Sequence, residues 1–307
     1  MAEHRLDPSP DTVTDVFSRD LPPVLTVDPG DRLVVRSLDA SGYLERQTKP
    51  GEQRPKLIKD ARGHCLTGPI AVRGARPGAM LALRLESLRP DDWGWTVAAA
   101  VDNPLNRRLG IAGRPASWLL WEIDADAGTA RNDRGFTVDI APFLGVMGVP
   151  PAEPGEHSTV PPRAACGGNM DCRELVAGST VYLPVTVPEA LLCLGDGHAA
   201  QGDGEVSGTA IETTMTTTLT VDVVTDRPID TVHAVTPTAK ITFGFSDDLN
   251  EATGQALDAM LAWLQAMYGV DKSTALTLAS PTVDLRVTQV ANQTWGVHAV
   301  LADGRLR

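Results

Sequence analysis

The stretch Leu191-Leu192-Cys193-Leu194-Gly195-Asp196-Gly197-His198-Ala199-Ala200-Gln201-Gly202-Asp203-Gly204-Glu205 constrains this 307-residue chain more than any other. It begins as an apolar run, which reads as a buried strand. It then changes to glycines interleaved with acids, a histidine and a glutamine, a pattern that permits a tight polar turn. Asp196 and His198 are two residues apart, so in extended backbone their side chains share a face. Asp203 and Glu205 repeat the spacing after the turn. One such pair could be a turn aspartate and a hydrogen-bonded structural histidine. Four proton-active or metal-capable groups within ten residues point instead to metal binding or acid/base work, because a core does not tolerate them unpaired.

The rest of the chain reads as mainly β. Residues 24–27 and 32–38 form strands around an Asp-Pro-Gly-Asp turn, and residues 39–62 read as a long polar loop. In residues 79–87 Leu81, Leu83 and Leu85 alternate with polar positions, the period of a half-buried strand. Strands are expected at 117–123, 181–187, 283–290 and 296–301, and a long one at 208–224, where threonines alternate with apolar residues. Short strands punctuated by Pro and Gly about every ten residues predict a β-sandwich or jelly-roll-like core. Helical spacing from Leu249 to Met267, with acids at its start and Gly269 at its end, predicts one clear helix, and a shorter one follows before Pro281. These form a helical hairpin over 248–279, giving a small C-terminal α+β layer. The expected organisation is an N-terminal β domain, 1–180, intertwined with a C-terminal one, 181–307. Residues 141–170 are dominated by Pro and Gly around the apolar run 143–149, and are expected to form an ordered active-site loop packed over a pocket.

Two residues do not close a metal site, so the turn at 195–205 needs a partner. Asp171, behind Cys166-Gly167-Gly168-Asn169-Met170, is the best third candidate, although it could equally cap a helix over 172–177. His64, before Thr67-Gly68-Pro69, is a further ligand or substrate contact. Glu205 and Glu212 are candidate bases, with Glu212 on the polar face of the 208–224 strand. Aspartate oxygen with imidazole nitrogen suits Zn²⁺ or a similar divalent ion. The alternative is a thiolate nucleophile, for which Cys166 beside two glycines is the best placed, whereas Cys193 lies inside an apolar strand.

Composition narrows the partners. Lys and Arg number 27 against 39 Asp and Glu, and this net charge of −12 argues against nucleic acid and anionic membranes. The four cysteines form no C-x-x-C pair, which argues against a zinc finger. The N-terminus lacks an apolar signal region, and no run of eighteen apolar residues occurs, so a cytoplasmic protein with reduced thiols is expected.

Several segments together resemble the acetamidase/formamidase family: residues 64–69 (HCLTGP), 74–78 (GARPG), 142–149 (PFLGVMGV), 167–171 (GGNMD), 195–205 (GDGHAAQGDGE) and 208–212 (GTAIE). The similarity runs from about residue 24 to the end and includes the C-terminal helix pair and the Asp284-Leu285-Arg286 strand. The 195–205 and 167–171 segments are its most specific parts. One departure is Cys172, where the family commonly has an uncharged or polar residue. The resemblance implies a mostly-β fold, usually a homo-oligomer, and hydrolysis of short aliphatic amides to carboxylate and ammonia. It implies metal-binding positions at Asp171, Asp196 and His198, and site carboxylates at Glu205 and Glu212.

The expected chemistry follows from these pieces. A divalent ion, Zn²⁺ by preference, held by Asp171, Asp196 and His198 lowers the pKa of a bound water to about 7 and polarises the amide carbonyl of a small neutral substrate. Glu205 or Glu212 takes the water's proton and passes it to the leaving nitrogen. Amides of Gly167 and Gly168 supply an oxyanion hole, His64 contacts substrate, and Phe143 with the rest of 143–149 caps the pocket. A non-catalytic binding module in which the acids fix a structural Ca²⁺ is the competing class.

Overall fold

Alternating apolar residues build two large sheets that face one another. The computed structural model describes residues 1–99 and 101–307. The first sheet has nine strands, in the order Glu3–Leu6, Arg32–Ser37, Met215–Val224, Met80–Pro90, Thr180–Pro184, His233–Val235, Ala239–Ser246, Trp295–Ala302 and Val283–Gln289. In Met80–Pro90, Leu81, Leu83 and Leu85 are buried while Arg84 and Glu86 are exposed. The alternation slips after Glu86, so that Leu88 rather than Ser87 turns inward, and the pairing with Met215–Val224 shifts register at the same place.

The second sheet contains the path Thr137–Asp139, Thr129–Asn132, Ser117–Asp124, Trp93–Ala98, Glu212–Thr213, Leu192–His198, Phe143–Gly148 and Gly167–Asn169. Leu66–Val72 also pairs with Leu192–His198. Leu33, Leu83, Val181 and Leu219 of the first sheet share one core with Ile70, Leu144, Leu192 and Leu194 of the second. Burying each such side chain contributes roughly 1.5–3 kcal/mol. Both sheets draw strands from either side of residue 180: Met215–Val224 lies between Arg32–Ser37 and Met80–Pro90.

The helix Leu249–Tyr268 covers the end of the first sheet. Asp248 accepts hydrogen bonds from the amides of Asn250 and Glu251, and Gly269 closes the helix in the left-handed region at φ 66°. Its apolar stripe of Ala252, Ala256, Met260 and Leu264 packs with Val297 and Ala299, and with the shorter helix Lys272–Ala279. Among the described residues, no helix is long and apolar enough to cross a membrane.

Three local expectations change. Residues 143–149 are not a loop: Phe143–Gly148 is a fully buried strand, hydrogen-bonded on both sides. A run buried on both faces has no polar alternation to announce it. The 208–224 strand is broken, because Glu212–Thr213 belongs to the second sheet and Met215–Val224 to the first. No helix follows Asp171, which therefore caps nothing. The short helix Pro104–Arg108 was not anticipated, though Asn103 as its cap and Pro104 at its start are standard signals.

One buried group gives the fold a pH dependence. His233 stacks on Tyr182 with ring centroids 4.7 Å apart and meets Trp263 edge-on. Burial, opposed only by the Thr231 carbonyl, pushes its pKa down to about 4. The unfolded chain binds that proton near pH 6.5 and the folded chain does not, so stability falls as pH drops from about 6.5 to about 4. The loss is on the order of 3 kcal/mol. Urea unfolding of wild type and His233→Phe across that range checks this: the variant is expected to lose that part of the slope, and parallel profiles would contradict it.

Candidate active site

The strand Leu192–His198 is the spine of the site. It lies between Phe143–Gly148 and Glu212–Thr213, and its residues bring acids in from both sides. The pairs Val146 with Gly195 and Leu144 with Gly197 put Asp196 opposite Gly145. A Cβ on Gly145 would lie 2.4 Å from Asp196 Oδ2 and 2.6 Å from Asp171 Oδ1, so both carboxylates occupy the space a side chain there would fill. Asp171 reaches this point because the amides of Met170 and Asp171 both donate to the Gly145 carbonyl, at 2.9 and 3.3 Å. On the other side Glu212 pairs with His198 in the ladder. Glu205 enters from the turn beyond the strand. That turn is pinned to the first sheet by the Gly204 amide on the Thr288 carbonyl (3.0 Å) and the Val290 amide on the Gly204 carbonyl (2.8 Å).

Asp171, Asp196 and Glu205 all have left-handed backbone, with φ of 49°, 62° and 44°. That conformation costs a non-glycine residue on the order of 1 kcal/mol or more. Three such residues in one cluster mark a place where the fold holds strained backbone to aim side chains.

His198 is the hub. Its Nε2 lies 3.3 Å from Asp196 Oδ1 and 3.2 Å from Glu212 Oε2. Its Nδ1 meets Gln201 Oε1 at 2.9 Å, and Gln201 Nε2 donates to the Asp171 carbonyl at 2.7 Å. The amide thus presents an acceptor to Nδ1, which fixes the N–H there and leaves Nε2 facing the acids. Phe143 sets its ring edge-on to the imidazole, centroids 5.0 Å apart. His64 approaches from the cavity, Nε2 3.9 Å from Asp196 Oδ2.

Electrostatically the site is crowded with acid. Asp171, Asp196, Glu205, Glu212 and His198 are all buried. Burial pushes the Asp171, Glu205 and Glu212 carboxyls upward, with neighbouring acids adding to the push and His198 opposing it. Asp196 is the exception: burial pushes it up, but the charges of His198 and then His64 outweigh this and hold it below the usual carboxylate range. The His198 imidazole is raised despite burial, because Glu212 and Asp196 favour its charged form. Both Asp171 carboxylate oxygens, Asp196 Oδ1, Glu205 Oε2 and Glu212 Oε2 are buried without a hydrogen-bond partner. Orphaned buried oxygens in this number need protons or a cation. Two groups can supply a cation with ligands, each with its donor atoms within 4.8 Å of one another: Asp196, His198 and Glu212, and Asp171, His198 and Glu205.

These acids border a cavity of about 190 Å³, lined also by Ala40, His64, Val160, Asn169, Thr209 and Asn292. Asp171, Asp196, His198, Glu205, Glu212 and His64 are therefore brought together. Others are not. Phe143 supports His198 and is not part of the cavity wall. Gly167 and Gly168 pair with Gly148 and Met147, outside the lining, and the Gly167 amide already donates to the Arg163 carbonyl at 2.8 Å. The Gly167 amide is used in that turn, so it is not free for an oxyanion. Cys166 is buried away from the cavity, and burial pushes its thiol up to about 11, which removes the thiolate a nucleophile needs. Asp203 lies 3.7 Å from Arg173 Nε and outside both ligand groups. Sequence reasoning missed Gly145 and Asn169, whose buried Oδ1 lacks a partner. The Gly-Gly-Asn-Met-Asp segment carried a signal for Asn169; nothing marked Gly145.

Comparison with known proteins fits this arrangement. The sequence matches the model of the Acetamidase/Formamidase family over residues 3–155 and 152–299. The structure is similar to an acetamidase from Bacillus halodurans, with a TM-score of 0.85 and 28% identity, covering 97% of each chain. It is also similar to a predicted acetamidase/formamidase from Thermoanaerobacter tengcongensis, with a TM-score of 0.85 and 25% identity, covering 99% of this chain and 96% of that one. A formamidase from Methylophilus methylotrophus is 27% identical over 239 residues, 61% of this chain and 58% of that protein. The chain thus matches about three fifths of the length of such curated relatives.

Proposed function

Because the chain belongs to the acetamidase/formamidase family, we propose that it hydrolyses the C–N bond of short linear amides, giving a carboxylate and ammonia. The observation that carries this reading is the set of buried, partnerless carboxylate oxygens around His198 at the wall of a small cavity.

The residues divide into two tasks. Asp196, His198 and Glu212 form the group that best fits a divalent ion. The contacts of His198 Nε2 at 3.3 and 3.2 Å match the roughly 3.3 Å between neighbouring ligand atoms of a tetrahedral site with bonds of about 2.0–2.1 Å. One imidazole and two carboxylates suit Zn²⁺, which when bound polarises a carbonyl and makes water acidic. Asp171 and Glu205 form the second task. Burial pushes both carboxyls up, and they lie close together, which suits the pair to take a proton from water and return one to the leaving nitrogen. This exchanges the roles expected for Asp171 and Glu212. Asn169 Oδ1 is available to accept from the substrate NH₂, and His64 to donate to its oxygen.

Cavity size sets the acyl range. A cavity of about 150 Å³ holds one benzene, and here about 190 Å³ must also accommodate the ion and the attacking water. Formamide and acetamide fit, and benzamide does not. An ammonia-release assay across formamide, acetamide, propionamide, isobutyramide and benzamide tests this. kcat/KM is expected to fall at least about a hundredfold between acetamide and benzamide, since a clash with the small cavity's walls costs about 3 kcal/mol or more. No ammonia from any short amide would overturn the amidase reading and favour a binding module.

A further inference from the structure

A second cluster begins one residue after Asp171, outside the cavity lining. The Cys172 thiol donates to Glu174 Oε2 at 3.3 Å, and His298 Nε2 lies 3.2 Å from the same oxygen. The three donor atoms are all within 4.8 Å of one another. Cys172 and His298 are fully buried. We propose that Cys172, Glu174 and His298 form a second metal site, separate from the amide-hydrolysing centre, that binds a thiophilic divalent ion of the Zn²⁺ class through one thiolate, one carboxylate oxygen and one imidazole nitrogen.

Geometry carries the assignment. A tetrahedral site with metal–sulfur bonds of about 2.3 Å and metal–oxygen or metal–nitrogen bonds of about 2.0–2.1 Å has sulfur–oxygen and nitrogen–oxygen edges of about 3.5 and 3.3 Å. The observed spacings are 3.3 and 3.2 Å. His298 and Glu174 lie at ion-pair distance, while Nε2 is fully buried and satisfies no hydrogen-bond geometry. A bound metal would take the Nε2 lone pair in place of a proton.

The surrounding groups hold the donors as metal ligands are usually held. Thr288 Oγ1 sits 2.8 Å from His298 Nδ1, a contact that holds the ring in place with Nε2 turned toward Glu174. Arg286 Nη1 donates to Glu174 Oε1 at 2.6 Å, which orients the carboxylate and leaves Oε2 for the cluster. On binding, the Cys172 sulfur–hydrogen bond breaks, its proton passes to solvent, and a sulfur–metal bond forms with no redox change. The ion would tie residues 172–174, which continue from Asp171, to the strand Trp295–Ala302, and so brace the loop that carries a site carboxylate.

Cobalt provides the test, because thiolate-to-Co²⁺ charge transfer absorbs in the near ultraviolet and carboxylate or imidazole ligation does not. The purified full-length protein is stripped with a chelator and titrated with Co²⁺. A charge-transfer band that saturates by two equivalents per chain, one for each proposed site, is expected, retained in Cys65→Ser, Cys166→Ser and Cys193→Ser and lost in Cys172→Ser. The three retained variants assign the band by elimination even where Cys172→Ser fails to fold. Absence of the band in wild type, or its loss in any of the other three, overturns the proposal. The readout is independent of amide turnover, so it stands or falls apart from the hydrolase reading.

Discussion

Asp196→Asn is expected to lower kcat/KM for acetamide by at least about a thousandfold while leaving the protein folded. Asp196 is the one site acid held anionic, by His198 and then His64 acting against burial, and the other three carboxyls are raised. Asparagine keeps the shape and tolerates the left-handed backbone at φ 62°. It removes the permanent negative charge beside His198 Nε2, so the proposed ion would lose a ligand and the imidazole loses a counter-charge. Removing one electrostatic partner at a preorganised site costs about a hundred- to thousandfold, and metal loss adds to it. Because His198 and His64 hold Asp196 below its ordinary range, its charge supports the folded state, and the metal-free variant should melt below metal-free wild type. Ammonia release, metal content and a melting curve on one preparation check all three. Turnover within tenfold of wild type would contradict the role given to Asp196.

Gly145→Ala should lower kcat about a hundredfold without touching any acid. The added methyl would lie 2.4 Å from Asp196 Oδ2 and 2.6 Å from Asp171 Oδ1. Both carboxylates must move by about an ångström, a misplacement that can cost about a hundredfold. Overpacking should also cost about 1–3 kcal/mol of stability. Gly254→Ala is the control. Gly254 lies within the helix Leu249–Tyr268, with nothing within 4 Å of the added methyl. It should raise stability by about 1 kcal/mol and leave turnover unchanged. Equal effects of the two substitutions on kcat would rule out the steric argument.

The parts of this site that could be read in the sequence are those where the signal is local. The change from Leu191-Leu192-Cys193-Leu194 to alternating glycines and acids located the spine strand, and the two-residue spacing put Asp196 and His198 together. Asp171 and Glu205 came from the same logic of acids beside glycines. Glu212 is harder, because Thr213, Thr214 and Met215 continue one alternating β pattern while the chain passes from one sheet to the other. A period of two does not say which sheet a strand joins, so a buried site acid looks like a solvated one. Phe143–Gly148 read as a loop because the prolines and glycines on either side of it outweighed a short apolar run. Gly145 could not be singled out, since its need for a bare backbone arises only when Asp171 and Asp196 arrive from elsewhere in the chain. The Glu174–His298 contact spans more than 120 residues and has no sequence signature at all.

The most direct test of the account follows metal content and acetamide turnover together as the purified protein is dialysed against a chelator and then reloaded with Zn²⁺. Turnover is expected to fall with the ion lost from Asp196, His198 and Glu212 and to return when Zn²⁺ is restored. Full ammonia release by protein that retains no metal would contradict the metal centre proposed around His198.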